Sequence, residues 1–161
     1  MDLEVIAPII KETIEKVLSE RTYPFGFANY RGLSDKVASG KLRRSVGVEV
    51  VPSEDRPIIR ILMEDYWIWV QNGRMPGKKG VPVNLIEEWI RQRGLKGRDK
   101  KGRFIPRRSF AFAIQTNIKK FGIRPSNFLD KAINLLETDQ RIIDALGQEA
   151  FDELINRLEG I

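Results

Sequence analysis

The side chains best suited to chemistry are three pairs of neighbouring carboxylates, Glu54-Asp55, Glu64-Asp65 and Glu87-Glu88. The chain has no histidine and no cysteine, so it lacks the commonest general base, the commonest transition-metal ligand and any thiolate nucleophile. A magnesium-dependent nuclease would need such carboxylates to converge, usually beside a lysine. Their spacing does not force convergence. We therefore predict a protein that is not an enzyme and has no metal site and no cofactor.

The glycine-rich stretch from Gly73 to Gly80 is the next candidate for a binding site. It has the glycines of a phosphate-binding loop but lacks the terminal Gly-Lys-Ser/Thr of that motif. No nucleotide site is therefore predicted, and the lysines of the stretch need another explanation.

Positive charge is concentrated in one segment of the chain. Residues 74–108 contain 12 basic and 3 acidic residues, a net charge of +9, whereas the whole chain carries +6 and the remainder therefore −3. The basic residues cluster in two predicted loops, 73–80 and 95–108. Three interpretations stay open: contacts with other proteins, contacts with DNA phosphates, or a solvated surface. The candidate contact residues are Arg74, Lys78, Lys79, Arg98, Lys100, Lys101 and Arg103.

The elements that would position these loops follow from periodicity. An amphipathic helix is predicted from about Ala7 to Glu20 and an irregular connection with aromatic residues from Arg21 to Gly40. Strands at 45–51, 58–63 and 66–71 would form an antiparallel meander. Helices follow at 84–93, with Asn84 as its cap, at 107–121, after Pro125-Ser126, and at 140–158, where Gly147 is a weak point. The fold class is α+β, with a sheet of three to four strands packed with helices in one domain, 1–161.

The predicted third strand is apolar on both faces. Trp67 and Trp69 share one face, and Tyr66, Ile68 and Val70 share the other. Aromatic residues on a strand can stack on nucleic-acid bases, but a strand that is apolar on both sides is more often buried. We favour the buried interpretation.

Several short segments, in this order, resemble one protein family. They are Ala38-Ser39-Gly40-Lys41-Leu42-Arg43-Arg44-Ser45, Trp69-Val70-Gln71-Asn72-Gly73-Arg74-Met75-Pro76-Gly77, Pro82 with Ile86-Glu87-Glu88-Trp89-Ile90, Gly94-Leu95, Ala111-Phe112-Ala113-Ile114, Gly122-Ile123-Arg124-Pro125 and Asn127-Phe128-Leu129. Over residues 38–133 the chain is similar to the tail-completion, or head–tail joining, proteins of tailed bacteriophages. It departs from them in the basic insertion Lys96 to Arg108 and in the helical extension 138–161.

The resemblance implies a structural protein without enzymatic activity. Such a subunit forms a homo-oligomeric ring in the virion neck, between the portal or adaptor and the tail, and double-stranded DNA passes through the lumen. It would be made in the host cytoplasm, and no membrane is involved. The alternative, from the residues alone, is a sequence-independent module that binds double-stranded DNA through the basic loops.

Overall fold

The computed structural model describes residues 3–24, 33–51 and 58–159, and these form an α+β fold. The predicted turn with Glu54-Asp55 and residues 25–32 of the predicted aromatic connection lie outside the described residues. The elements are α1 (Leu3–Ser19), β1 (Tyr23–Pro24), β2 (Leu33–Ser34), α2 (Lys41–Ser45), β3 (Gly47–Val51), β4 (Ile58–Leu62), α3 (Trp67–Asn72), α4 (Val83–Gln92), α5 (Arg107–Phe121), α6 (Phe128–Leu136), α7 (Gln140–Leu146) and α8 (Gln148–Leu158).

Helix α1 is the centre of the first and larger core. Ile6, Ile10 and Ile14 recur at helical spacing and are fully buried. They pack against α6, α7 and β3. The helix begins at Leu3, one turn before the predicted start, although Pro8 lies inside it and supplies no N–H. Burial of Ile6 in the first turns compensates for that missing hydrogen bond.

Strands β3 and β4 form an antiparallel hairpin with Val48 opposite Ile61 and Glu49 opposite Arg60. Val48, Ile59 and Ile61 pack on the first core, as the alternation predicted. Arg60, between Ile59 and Ile61, is exposed on the opposite face of the strand. Among the described residues, the other strand pair is the two-residue ladder of β1 and β2.

The predicted third strand is wrong, because residues 67–72 form helix α3. Trp67 and Val70 are three residues apart and pack together on the first core, while Trp69 is 64% exposed. A six-residue apolar run has too few residues to distinguish a period of 2 from one of 3.6, so contacts with the first core decide its conformation. The three- to four-stranded sheet is therefore not confirmed: in the described ranges the β3–β4 sheet has two strands.

Helices α4 and α5 form a second core of their own. Ile86 and Ile90 of α4 pack on Ala111, Ile114 and Ile118 of α5. Helix α5 has the predicted bounds. Helix α4 begins at Val83 after Pro82 and has no side-chain cap, so the predicted cap at Asn84 is wrong. The fixed φ of Pro82 places the chain for helix entry without a capping hydroxyl or amide.

The predicted C-terminal helix, 140–158, is divided into two helices at its predicted weak point, Gly147. Gly147 has φ 77° and separates α7 from α8, since a positive φ favours glycine and ends a helix. Ile142, Phe151, Ile155 and Leu158 are buried in the first core, so this segment closes the core of its own chain. None of the described helices is long and apolar enough to cross a bilayer.

Candidate interaction surface

The first basic loop starts where two chain segments cross. Arg74 and Ile123 form an antiparallel bridge in which each backbone N–H donates to the other residue's carbonyl oxygen at 2.8 Å. Gly73 (φ 68°) and Gly122 (φ 73°) flank it. A Cβ at Gly73 would lie 2.3 Å from the Ile123 carbonyl oxygen, and one at Gly122 would lie 2.2 Å from that of Arg74. Both positions therefore require glycine.

Gln71 connects this crossing to α6 and the first core. Its Nε2 donates to Asp130 Oδ2 at 2.8 Å and its Oε1 accepts from the Leu129 backbone N–H at 2.9 Å. The Ser126 hydroxyl donates to the Val70 carbonyl oxygen at 2.6 Å. Because Gln71 is 9% exposed, these hydrogen bonds satisfy polar atoms that water reaches poorly.

The first basic loop, 73–80, runs along the C-terminal half of α5. The Gly77 N–H donates to the Lys119 carbonyl oxygen at 2.8 Å, and Gln115 Nε2 donates to the Val81 carbonyl oxygen at 2.7 Å. The Arg74 guanidinium donates to the Lys79 carbonyl oxygen inside the loop. These contacts fix the loop backbone while the lysine side chains stay exposed.

The second basic loop, 95–108, contains a hydrogen-bonded turn. Arg98 and Phe104 form an antiparallel bridge, and the Arg98 guanidinium lies 4.0 Å from the Phe104 ring centroid. The Asp99 carboxylate accepts from the backbone N–H groups of Lys101 and Arg103 and from Arg103 Nε, all within 2.9 Å. The backbone N–H of Arg103, followed by its side chain and the Lys101 N–H, lowers the pKa of Asp99. A single carboxylate thus organises the tip of the loop.

The two loops lie at opposite ends of the α4–α5 pair. Loop 73–80 precedes α4 and contacts the end of α5, whereas loop 95–108 follows α4 and contacts the start of α5, with Gly97 against Phe110. Phe110 and Lys119 are nine residues apart, so the contact points are separated by about 14 Å along the helix. The structure therefore brings Arg74, Lys78 and Lys79 together at one end and Arg98, Lys100, Lys101 and Arg103 at the other.

The candidate contact residues differ in how far they are already engaged. Arg74, Arg98 and Arg103 bind groups of their own loops. The other four candidates are exposed and have no ion pair within the described part of the chain; they are Lys78, Lys79, Lys100 and Lys101. We refer to these four as the free lysines.

Exposed apolar side chains accompany the loops. Met75 in the first loop is 71% exposed, Phe104 in the second is 60% exposed, and Trp69 lies before the crossing. No sequence pattern predicted the exposure of Met75 and Phe104, and for Trp69 the prediction was burial. Large apolar side chains beside cations are typical of surfaces that bind other proteins.

A cleft of about 380 Å³ separates the two cores, with Leu42 on one wall and Trp89 on the other. Arg93 spans its end: Nη1 donates to Asp35 Oδ1 at 2.7 Å and Nη2 to the Asp35 carbonyl oxygen at 2.9 Å. The buried Nε of Arg93 has no hydrogen-bond partner among the described residues. This partly buried ion pair is a second link between the α4–α5 pair and the rest of the molecule.

Three of the paired carboxylates that the structure describes are engaged by basic side chains. Glu64 pairs with Lys41 at 2.9 Å and Glu87 with Arg108 at 3.8 Å. Hydrogen bonds from Arg91 and Gln92 lower the pKa of Glu88. Within residues 3–24, 33–51 and 58–159, no three carboxylates lie close enough to hold a metal ion.

Comparison with known proteins adds no relative to this description. No protein-family model matches the chain, and no curated protein or solved structure matches it significantly.

Proposed function

We propose that the protein is a structural subunit of the head–tail connector of a tailed bacteriophage, which forms a homo-oligomeric ring between the portal or adaptor and the tail. The observation that carries the proposal is the presentation of the free lysines and exposed apolar side chains on fixed loops at both ends of one helix pair. The resemblance over residues 38–133 supplies the biological setting. Double-stranded DNA would pass through the lumen of the ring.

The geometry supports assembly because it presents exposed cationic and apolar side chains on loops with fixed backbones. The loop backbones are held by hydrogen bonds, so little conformational entropy is lost when a neighbouring protein binds them. Exposed Met75 and Phe104 can supply buried area, and the lysines can supply charge complementarity. This combination favours a protein that binds partners over one that transforms a substrate.

Electron microscopy of virions that encode the chain tests the proposal. We expect a ring of density in the neck into which α4, α5 and both loops fit, and the polypeptide in the protein composition of the virion. Virions whose neck contains no trace of the chain would contradict the proposal.

The exposure of the free lysines also favours a second candidate, sequence-independent binding of duplex DNA. In that case log affinity should fall steeply with log salt, because lysines that neutralise phosphates release counterions. The variant Lys100→Ala/Lys101→Ala/Arg103→Ala should reduce that slope by roughly two to three.

The matched control for this salt titration is Lys11→Ala/Lys16→Ala/Arg157→Ala. It removes the same charge from the exposed sides of α1 and α8, the helices that enclose the first core. It should leave the slope almost unchanged if the loops bind DNA. Equal effects of the two triple variants, or no measurable binding at low salt, would exclude the DNA-binding candidate.

A further inference from the structure

A negatively charged surface lies on the first core, opposite in sign to the basic loops. Residues 137–161 contain 7 acidic and 2 basic residues, a net charge of −5. Helices α7 and α8 bury their apolar stripe in the first core. Their exposed side therefore carries the charges, including Asp144, Asp152 and Glu159, which are all exposed.

The basic residues of this segment do not neutralise that surface. Arg141 is already held by Asp139 at 2.7 Å and by Glu12 at 3.1 Å, and Arg157 is held by Glu153 at 3.0 Å. Asp144 and Asp152 accept hydrogen bonds from the neutral amides of Gln140 and Gln148. Within the described residues no cation lies within ion-pair distance of either carboxylate.

The two charged surfaces belong to different parts of the subunit. The acidic surface is built on α7 and α8, which pack on α1 and α6. The basic surface is built on the loops around α4 and α5, which pack on each other. Among the described residues no ion pair joins the two surfaces within one subunit, although the surfaces are opposite in sign.

We propose that two copies of the chain bind head to tail, with the free lysines of one copy against the acidic surface of the next. A two-fold contact that placed either surface against itself would bring like charges together and would be disfavoured. A head-to-tail contact uses two different patches, and such a contact produces a ring when its rotation closes. The inference rests on the proposed ring and names the surfaces that would close it.

Charge reversal in the full-length chain tests the inference. The loop variant is Lys78→Glu/Lys79→Glu/Lys100→Glu/Lys101→Glu, and the helix variant is Asp144→Lys/Asp152→Lys/Glu159→Lys. All seven side chains are exposed, and unchanged circular dichroism and melting would verify the folds. Association is measured by sedimentation equilibrium at about 20 mM salt, where screening is weak, and again at about 300 mM.

The unmodified chain should associate at low salt and dissociate at high salt. Each variant alone should associate at least about tenfold more weakly, because one of its two complementary surfaces has then lost its net charge of the required sign. An equimolar mixture of the two variants should associate again, since each then offers the surface that the other needs. That rescue distinguishes a specific contact from general repulsion.

The inference is overturned if the unmodified chain stays monomeric at low salt, if either variant associates as well as the unmodified chain, or if the mixture fails to associate. Each of these results would leave the proposed function standing whenever the virion neck contains the polypeptide. Conversely, salt-dependent rescue together with virions that lack the chain would support the contact and remove the phage setting.

Discussion

The two cores differ in how the chain builds them. Among the described residues, the first combines 16 buried residues from both ends of the chain, in α1, β1, α2 and α6 to α8 and at Val46. The second contains 5 buried residues from one continuous stretch, α4 and α5. So small a core buries too little apolar area to be stable by itself. It depends on the Arg74–Ile123 crossing and on the Arg93–Asp35 ion pair.

The regions around the two cores also differ in the sign of their charge. The local pair α4–α5 carries the segment with net charge +9, while the terminal helices around the first core are acidic. A binding surface on a small, attached unit can evolve in its loops while the larger core maintains the fold. The following predictions test how strongly the second core depends on the first.

The largest effect is expected at the crossing. Gly122→Ala should lower the free energy of unfolding by more than about 4 kcal/mol, because its Cβ would overlap the Arg74 carbonyl oxygen. Gly77→Ala is the matched control: φ is also positive, at 78°, but nothing lies within 4 Å of the new Cβ. It should cost about 1 kcal/mol. Urea unfolding measures the stability of both variants. Equal losses of stability would show that the crossing has room for a methyl group.

Two substitutions, one in each core, test whether the cores unfold independently, because each leaves a cavity of similar size. Ile90→Ala and Ile10→Ala each remove a side chain that is at most 1% exposed and should each cost about 3 kcal/mol. Hydrogen exchange should then distinguish them. Ile90→Ala should accelerate exchange in α4 and α5 and leave α1 and α6 protected, whereas Ile10→Ala should accelerate exchange throughout. A uniform response to Ile90→Ala would mean that the two cores unfold as one unit.

A smaller loss is expected at the link between α3 and α6. Gln71→Ala leaves the Leu129 N–H without its partner and should cost about 2 kcal/mol. The control Gln140→Ala removes one exposed hydrogen bond, to Asp144, and should change stability by less than about 0.5 kcal/mol. Thermal unfolding compares them, and similar melting temperatures would contradict the structural role of Gln71.

The smallest effect concerns Asp139, which caps α7 by accepting from the Arg141 N–H at 3.0 Å. Hydrogen bonds from the Arg141 side chain lower the pKa of Asp139 below its ordinary 3.8. A carboxyl whose pKa is lower in the folded state stabilises the fold at pH values above its ordinary pKa. This contribution disappears as the pH falls through the pKa of the folded state. Asp139→Ala should cost about 1 kcal/mol at pH 7.

The pH series uses Asp139→Asn, which keeps a capping oxygen but has no titratable charge. Stability measured from pH 7 to pH 2 should fall more in the unmodified chain than in this variant, so that the two curves converge in acid. Parallel curves would show that the Asp139 charge does not contribute to the acid sensitivity of the fold.

Much of the fold was predictable because it depends on local patterns. The repeat of isoleucines in α1, the alternation in β3 and β4, and the full length of α5 all followed from periodicity. Gly147 was recognised as a weak point for the same reason. The exposure of six of the seven candidate contact residues, all but Arg74, could be inferred only as a tendency of charged loops, and their distribution over two ends of a helix pair could not be inferred.

What the sequence by itself determined is the distribution of charge along the chain and the elements whose apolar period is long enough to read. What only the tertiary structure decided is the helix at Trp67–Asn72, the crossing of Gly73 with Gly122, and the burial of the apolar side of α7 and α8 in the first core. Each of these depends on contacts between segments more than 45 residues apart or on a run too short to have a period. Such contacts are set by packing in three dimensions, and no local pattern encodes them.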